Sequence, residues 1–233
     1  MKIDYLNVDQ DQVNSFTNQV IDELLQENES RVSDGTIDTW AMYSVLFYGS
    51  ASTPYNYVSV TISSSLNSFD VPNNNYSDPL VTHTEQNRFE ITKSELWTVR
   101  NSISDLQNNE LSNYMMMDYM DVRLGRELEY QMLEDEVAKP IHEHRLDRGI
   151  MEAWEMYQLV TPGGIDYGYN FATGNYFSSL EHIEFGFNEE LIRSQNPDVN
   201  VAEFFDHIWS TRDLVRSEVW LKMESVRSPE PAN

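Results

Sequence analysis

Two nine-residue stretches of this chain, GTIDTWAMY at 35–43 and GIMEAWEMY at 149–157, share glycine, tryptophan, methionine and tyrosine at matching positions. They lie 114 residues apart, and extending the alignment without a gap gives 17 identities in 74 positions. Unrelated segments would share about one residue in fifteen. Further along, KSELW at 93–97 returns as RSEVW at 216–220, at an offset of 123. The chain therefore contains a duplicated unit, which predicts two copies related by a pseudo-twofold axis.

Each copy has the same predicted order of elements, based on apolar periodicity and turn residues. A strand (3–8 or 116–122) precedes a helix, and two strands (37–47 and 55–62, or 151–160 and 169–177) follow around a turn (49–54 or 162–164). A polar stretch, a second helix (84–92 or 201–215) and a closing strand (95–103 or 218–226) complete the copy. Gly35 and Gly149 are expected to cap the first helices, and Pro140 is expected to kink or break the helix of copy two.

The order β-α-β-β-α-β, present twice, is that of the ferredoxin-like unit. Its sheet carries helices on one face only, so the open face has to be buried against another layer. The sequence therefore predicts an α+β protein with tandem ferredoxin-like repeats, at 1–107 and 108–233, that form a pseudo-dimeric eight-stranded barrel. Further oligomerisation stays open.

The composition excludes several classes of function. With 39 acidic and 15 basic residues and a net charge of −24, the chain has no basic footprint for nucleic acid or for an anionic membrane surface. It has no cysteine, which excludes disulfides, thiolate metal sites and iron–sulfur clusters. No apolar run is long enough to span a membrane. As written the chain is expected to be cytoplasmic. The polar lead-in at 108–113 has no counterpart before Met1, so a missing leader would make the protein periplasmic.

Three motifs carry a resemblance to a known group of proteins. They are Gly-x4-Trp-x-Met-Tyr followed by Gly-x5-Tyr-Asn-aromatic, the segment KPIHEHR at 139–145, and the Ser-Glu-hydrophobic-Trp closing segment. With these motifs the chain resembles the dimeric α+β barrel superfamily, including antibiotic-biosynthesis-type monooxygenases, EthD-like and NIPSNAP-like proteins, and most of all uncharacterised bacterial tandem members. The resemblance implies cofactor-independent oxidation in a dry aromatic cavity, with Trp154 as wall, Asn170 as hydrogen-bond donor and His142 as base.

Candidate ligand-binding side chains lie on the second strand of each copy. Trp40 and Trp154 share one face with Ser44 and Gln158, respectively, and a polar residue among large apolar ones suggests a face that lines a cavity between the sheets. Core packing is the favoured alternative for the two tryptophans, because both copies retain them.

Asn56 and Asn170 lie between aromatic residues at a strand start, where they could anchor a ligand or an oxyanion. The favoured alternative is a hydrogen bond from each amide to a neighbouring backbone.

The segment 142–145 holds the one local histidine cluster. His142 and His144 are two positions apart on a helix, so they point about 200° apart and cannot share one metal ion. Copy one has Asn28 at the position of His142, which makes His142 a candidate for a function limited to copy two; an exposed helix end is the alternative. The pairs Glu29/Arg31 and Glu143/Arg145 recur in both copies. A buried or interface ion pair that orients the helix is expected there, with anion binding by Arg31 or Arg145 as the alternative.

The sequence leaves three classes of function open. The first is binding of a small apolar or aromatic molecule, with or without catalysis, without a resident metal or cofactor, and at an asymmetric site in copy two. The second is a non-enzymatic structural module whose barrel is filled by side chains. The third is haem binding through one of His142, His144, His182 or His207.

Overall fold

The computed structural model describes residues 1–47, 54–69, 78–86, 88–104, 111–185, 189–195, 197 and 200–228. Two compact units divide the chain. Unit 1 comprises Met1–Trp97, Gln107–Leu111 and Trp220–Asn233, and unit 2 comprises Thr98–Leu106 and Ser112–Val219. The expected boundary at 107/108, most of the turn at 49–54 and the polar stretch at 72–75 lie outside the described residues.

The first repeat begins with strand β1 (Lys2–Asn7) and a helical segment made of α1 (Val13–Ser15), a π turn (Phe16–Val20) and α2 (Ile21–Ser33). Strands β2 (Thr39–Leu46) and β3 (Tyr57–Ile62), a 3₁₀ turn (Leu66–Phe69), helix α3 (Pro79–Glu85) and strand β4 (Glu90–Ser104) follow. No helix among the described residues has both the length and the apolar character needed to cross a membrane.

The second repeat follows the same plan. It contains β5 (Tyr114–Val122), α4 (Glu127–Leu133), a π turn (Glu134–Ala138), α5 (Lys139–Asp147), β6 (Ala153–Thr161), β7 (Phe171–Phe177), α6 (Leu180–Glu184), α7 (Glu189–Gln195), α8 (Val201–Thr211) and β8 (Arg212–Arg227). The closing segments of both repeats are strands, as predicted.

The eight strands form one closed barrel in the order β1-β3-β2-β8-β5-β7-β6-β4. Each repeat contributes the same order, β4-β1-β3-β2 or β8-β5-β7-β6. The register repeats as well, because Asp4 lies opposite Ser59 and, 114 positions later, Asp118 lies opposite Thr173. The predicted α+β class with an eight-stranded barrel is confirmed.

Both second helices were placed wrongly by the sequence pattern. In the first repeat α3 ends at Glu85, and residues 90–92, which were expected to belong to it, are the start of β4. The helix begins earlier because the Asp78 carboxylate accepts a hydrogen bond from the Leu80 amide at 3.1 Å and Pro79 follows this N-cap. In the second repeat α8 ends at Thr211, and β8 begins at once.

Pro140 does not break its helix. It lies in the first turn of α5, where a missing N–H is tolerated, directly after the π turn of Glu134–Ala138. The two glycine caps are as expected. Gly35 and Gly149 have φ of 76° and 67°, a left-handed conformation that favours glycine at helix ends.

The two units differ in how sheet and helix pack. In unit 1, Trp40 and Met42 of the sheet join Val20 and Leu24 of the helical segment in a single apolar cluster. In unit 2 the sheet residues around Trp154 form one cluster with Tyr130 of α4, whereas residues of the second π turn, α5, α7 and α8 form another. Only part of the helical layer of unit 2 therefore shares a cluster with its sheet.

Candidate functional site

A cavity of about 250 Å³ lies between these two clusters of unit 2. The strands supply residues two positions apart, which share one face of a sheet, and the helices cover them. The lining consists of Met116, Asp118, Met120, Trp154, Thr173, Asn175 and Phe177 from strands, Glu134, Ala138, His142, Arg145, Ile183, Phe204, Phe205 and Ile208 from helical segments, and Arg212 at the start of β8. The expectation that the tryptophan face lines a space between sheets is wrong, because helices cover that face.

Trp154 and His142 form one wall of the cavity. Their rings stack with centroids 5.2 Å apart and planes 18° apart, and both side chains are buried. Burial, with the nearby Arg145 charge, lowers the pKa of His142 to about 3, so the imidazole is neutral at pH 7. The Trp154 indole Nε1 is buried without a hydrogen-bond partner among the described residues.

Two arginines reach the cavity. Arg145 is 4% exposed, and its guanidinium lies 5.5 Å from the centroid of the Phe177 ring. Burial lowers the pKa of Arg145 to about 10 although Asp118 opposes the shift, so the group stays cationic at neutral pH. The Nε atoms of Arg145 and Arg212 are both buried without a hydrogen-bond partner among the described residues.

Two carboxyl groups complete the polar lining. Asp118 accepts hydrogen bonds from Asn175 Nδ2 at 3.1 Å and from Ser217 Oγ. Burial raises the pKa of Asp118, while Ser217, Arg212, Asn175 and Arg145 act in the opposite direction. Burial likewise raises the pKa of Glu134, which is 5% exposed. The cavity therefore combines an apolar aromatic wall with buried acids and bases.

The equivalent positions of unit 1 are filled. Leu24 stands where unit 2 has Ala138, Val20 where it has Glu134, and Phe89 where, at the offset of 123, it has Arg212. All three belong to the packed core of unit 1. Lys2, in place of Met116, forms ion pairs of 3.0 Å with Asp4 and 2.6 Å with Asp78.

Unit 1 does carry a cleft elsewhere, with a volume of about 330 Å³. Phe16 and Val20 line it together with the polar side chains of Gln12, Ser15, Gln19, Gln86 and Arg88. Arg88 pairs there with Glu23. Of the residues that line this cleft, only Val20 corresponds to a residue of the unit 2 cavity, Glu134.

The structure brings only part of the predicted site together. Trp154 and His142 line the cavity, whereas Trp40 lies in the core of unit 1. Gln158 accepts a hydrogen bond of 2.7 Å from Arg100 Nε. It is not among the lining residues.

The two asparagines that were candidates for ligand binding form hydrogen bonds with the backbone of a neighbouring segment. Asn170 accepts from the Val122 amide and donates to the Val122 carbonyl, both at 2.8 Å. Asn56 makes the same pair of contacts with Val8, at 2.9 and 2.8 Å. Both amides are therefore occupied by backbone partners, in agreement with the alternative weighed above.

Sequence reasoning missed Glu134, Ala138 and Arg212. None of them belongs to a motif, and each stands out only against its counterpart in the other repeat. A buried apolar residue replaced by an acid, a leucine replaced by alanine and a phenylalanine replaced by arginine are the differences that mark the site. These differences between the repeats can be read from the sequence, but only the structure shows that the three residues line one cavity.

No protein-family model and no curated protein matches this chain. Solved structures do match over nearly the whole length, and they have the dimeric α+β barrel fold. A Lactobacillus acidophilus protein provisionally assigned as a monooxygenase has a TM-score of 0.59 and 8% identity, covering 97% of this chain and 94% of that one. An anthrone oxidase-like protein has a TM-score of 0.56 and 11% identity, covering 98% and 93%. A haem-binding protein from Thermus thermophilus has a TM-score of 0.50 and 10% identity, covering 95% and 89%. Because the sequence identities are this low, these structural matches establish the fold class only.

Proposed function

We propose that unit 2 binds a small, largely apolar aromatic molecule in its cavity. The observation that carries this proposal is that the chain fills the same space in unit 1, with Leu24 and Phe89, but leaves it open in unit 2. Apolar side chains that line such an open space stay in contact with water, which a largely apolar ligand would displace.

The lining supports an aromatic ligand. Trp154, Phe177, Phe204 and Phe205 present rings to the cavity, and rings prefer offset-stacked or edge-to-face contacts. A volume of 250 Å³ lies just below the range of about 300–1,000 Å³ usual for ligand pockets, so the ligand should have about two fused rings.

Filling the cavity tests this proposal. Ala138→Leu places in unit 2 the residue that unit 1 already carries, and it should weaken binding of 2-naphthylmethanol at least tenfold because the added methyl groups occupy the ligand space. Isothermal titration calorimetry measures the change. The control is Ala202→Leu, the same substitution at an exposed position of α8, which should leave binding intact. Equal affinity in the wild type and Ala138→Leu would show that the probe binds elsewhere.

A second function, cofactor-independent oxidation, is supported by Glu134. This buried carboxyl group lines the cavity, and burial raises its pKa above the ordinary value, the direction that makes a carboxylate a stronger base. His142 is a poor base for this purpose, since its pKa is about 3. In the proposed reaction Glu134 takes a proton from an activated CH₂ group of the substrate. The electron pair left on carbon adds to dioxygen, Glu134 returns the proton to the peroxide, and loss of water leaves a carbonyl group.

Dioxygen consumption with anthrone as the probe substrate tests this second function. Glu134→Gln should lower the rate about a hundredfold or more, the usual contribution of a general base. Glu136→Gln, an exposed residue of the same turn, is the control. If the wild type consumes no dioxygen above the uncatalysed rate, or if Glu134→Gln is as fast as the wild type, the oxidation proposal is wrong, whereas the binding proposal stands.

The two other classes have less support. A purely structural module would be expected to fill unit 2 as it fills unit 1. Haem would have to be held by His142, the one histidine in the lining, whose neutral imidazole is the form that binds metal. A cavity of 250 Å³ is below the usual size range even for drug-sized ligands, and thus does not fit a porphyrin as it stands. Among the described residues, no group of three or more His, Asp or Glu side chains could hold a metal ion.

A further inference from the structure

Two arginines of the cavity have no hydrogen-bond or ion-pair partner among the described residues. Arg145 contacts the Phe177 ring, and the Nε atoms of both Arg145 and Arg212 are buried and unpaired. The chain has 39 acidic and only 15 basic residues, so a carboxylate partner would be easy to supply. A buried guanidinium without an acceptor is costly, because its N–H groups have lost water without replacement.

A third unpaired donor belongs to another lining residue of the cavity. The Trp154 indole Nε1 is buried without a partner, whereas Nε1 of the equivalent Trp40 donates to Ser59 Oγ at 2.9 Å. Thr173 stands at the position of Ser59 but does not accept from Trp154. Unit 2 thus lacks a hydrogen bond that unit 1 makes at the same site.

Unit 1 differs at both arginine positions. Arg31, the counterpart of Arg145, donates from Nη1 to Asn28 Oδ1 at 2.9 Å, although its Nε is buried without a partner, like that of Arg145. Phe89 replaces Arg212 and packs in the core. In unit 2 His142 replaces Asn28, so the amide acceptor is gone. Among these positions, unit 2 therefore leaves three donors of its lining residues without a partner, whereas unit 1 leaves only the Arg31 Nε.

The cavity acids do not supply the missing acceptors. Asp118 is hydrogen-bonded by Asn175 and Ser217, and neither Asp118 nor Glu134 forms an ion pair with Arg145 or Arg212 among the described residues. Burial favours the neutral form of both acids, whereas the charges of Arg145 and Arg212 oppose this for Asp118 and that of Arg212 opposes it for Glu134. These attractions involve no hydrogen bond from either Nε, so both Nε donors still lack an acceptor among the described residues.

We propose, on the basis of the function proposed above, that the ligand is an aromatic carboxylate. Its ring system would pack against Trp154 and the neighbouring phenylalanines. Its carboxylate would accept hydrogen bonds from Arg145 and Arg212, whose planar forks match the geometry of two carboxylate oxygens. The Trp154 N–H would donate to the same group.

Calorimetric titration with a matched pair of probes tests this inference. 2-Naphthoate should bind at least tenfold more tightly than 2-naphthylmethanol, which has the same rings without the charge. Arg145→Met should weaken 2-naphthoate binding about ten- to a hundredfold, as expected for loss of a charge-assisted hydrogen bond, and should change 2-naphthylmethanol binding much less. Arg31→Met, the same substitution at the equivalent position of unit 1, is the control and should alter neither.

The outcomes separate the two proposals. If both probes bind equally well and Arg145→Met weakens both to the same extent, the carboxylate inference is overturned but the cavity still binds small molecules. If neither probe binds, the proposed function itself fails. Should circular dichroism show Arg145→Met to be unfolded, Arg212→Met takes its place with the same expected loss for 2-naphthoate. Unchanged 2-naphthoate affinity in a folded variant contradicts the inference.

Discussion

At the scale of single residues, the repeat pointed to Arg145 but not to its role. The expected ion pair with Glu143 is absent among the described residues, since Arg145 is buried and Glu143 is exposed. The physical reason is that residues two positions apart on a helix point about 200° apart. The same geometry could have been applied to this pair from the sequence, as it was to His142 and His144.

His142 carries a prediction about pH. Its pKa is lowered from 6.5 to about 3 by burial and by Arg145, so the unfolded chain binds more protons between these values. This contribution to stability is complete above about pH 6.5 and is lost as the pH falls toward 3. His142→Asn, which introduces the residue found in unit 1, should remove it. Between pH 6.5 and 4 the wild type should lose up to roughly 3 kcal/mol more than the variant.

Urea denaturation at several pH values measures this difference. His144→Asn, the same change two positions along the helix, is the control for a general effect of losing a histidine. Parallel loss of stability in the wild type and His142→Asn would show that His142 is not held neutral by the fold.

At the scale of elements, the strands and the helix caps were predictable and the second helices were not. Gly35 and Gly149 mark helix ends because only glycine adopts positive φ without strain. The helix predicted at 201–215 extends beyond the end of α8 because Leu214 and Val215 continue the apolar pattern, although both are exposed in β8. Helices α6 and α7 were not predicted. Helix α6 begins at the counterpart of Leu66, where the first repeat has only a 3₁₀ turn, and α7 lies in the connection that is longer in the second repeat.

The π turns are an element-scale difference that no sequence pattern indicated. The π turn occupies Phe16–Val20 in the first repeat. In the second repeat it occupies Glu134–Ala138, which align with residues 20–24 of the first repeat, so the turn is shifted along the helix. The shifted turn begins at Glu134 and ends at Ala138, and both line the cavity. Such turns are frequent at functional sites because they redirect side chains within a helix.

At the scale of the whole molecule, the duplication predicted the fold class well and the site only in outline. The sequence placed an asymmetric site in copy two through Gln158, Asn170 and His142, and of these only His142 lines the cavity of unit 2. The asymmetry now rests on different residues, Ala138, Glu134 and Arg212. Their effect depends on packing between sheet and helices, which periodicity alone does not describe.

The central claim is that unit 2 holds a ligand site and that the equivalent place in unit 1 does not. The chain has five tryptophans, so a ¹H–¹⁵N spectrum should show five indole N–H signals. Trp154→Phe and Trp40→Phe identify two of them by loss of a signal. On titration with 2-naphthoate, the Trp154 signal should shift most, because its unpaired N–H gains an acceptor, while the Trp40 signal should stay in place. A larger shift of Trp40, or no shift of Trp154 at saturating probe, would contradict the account.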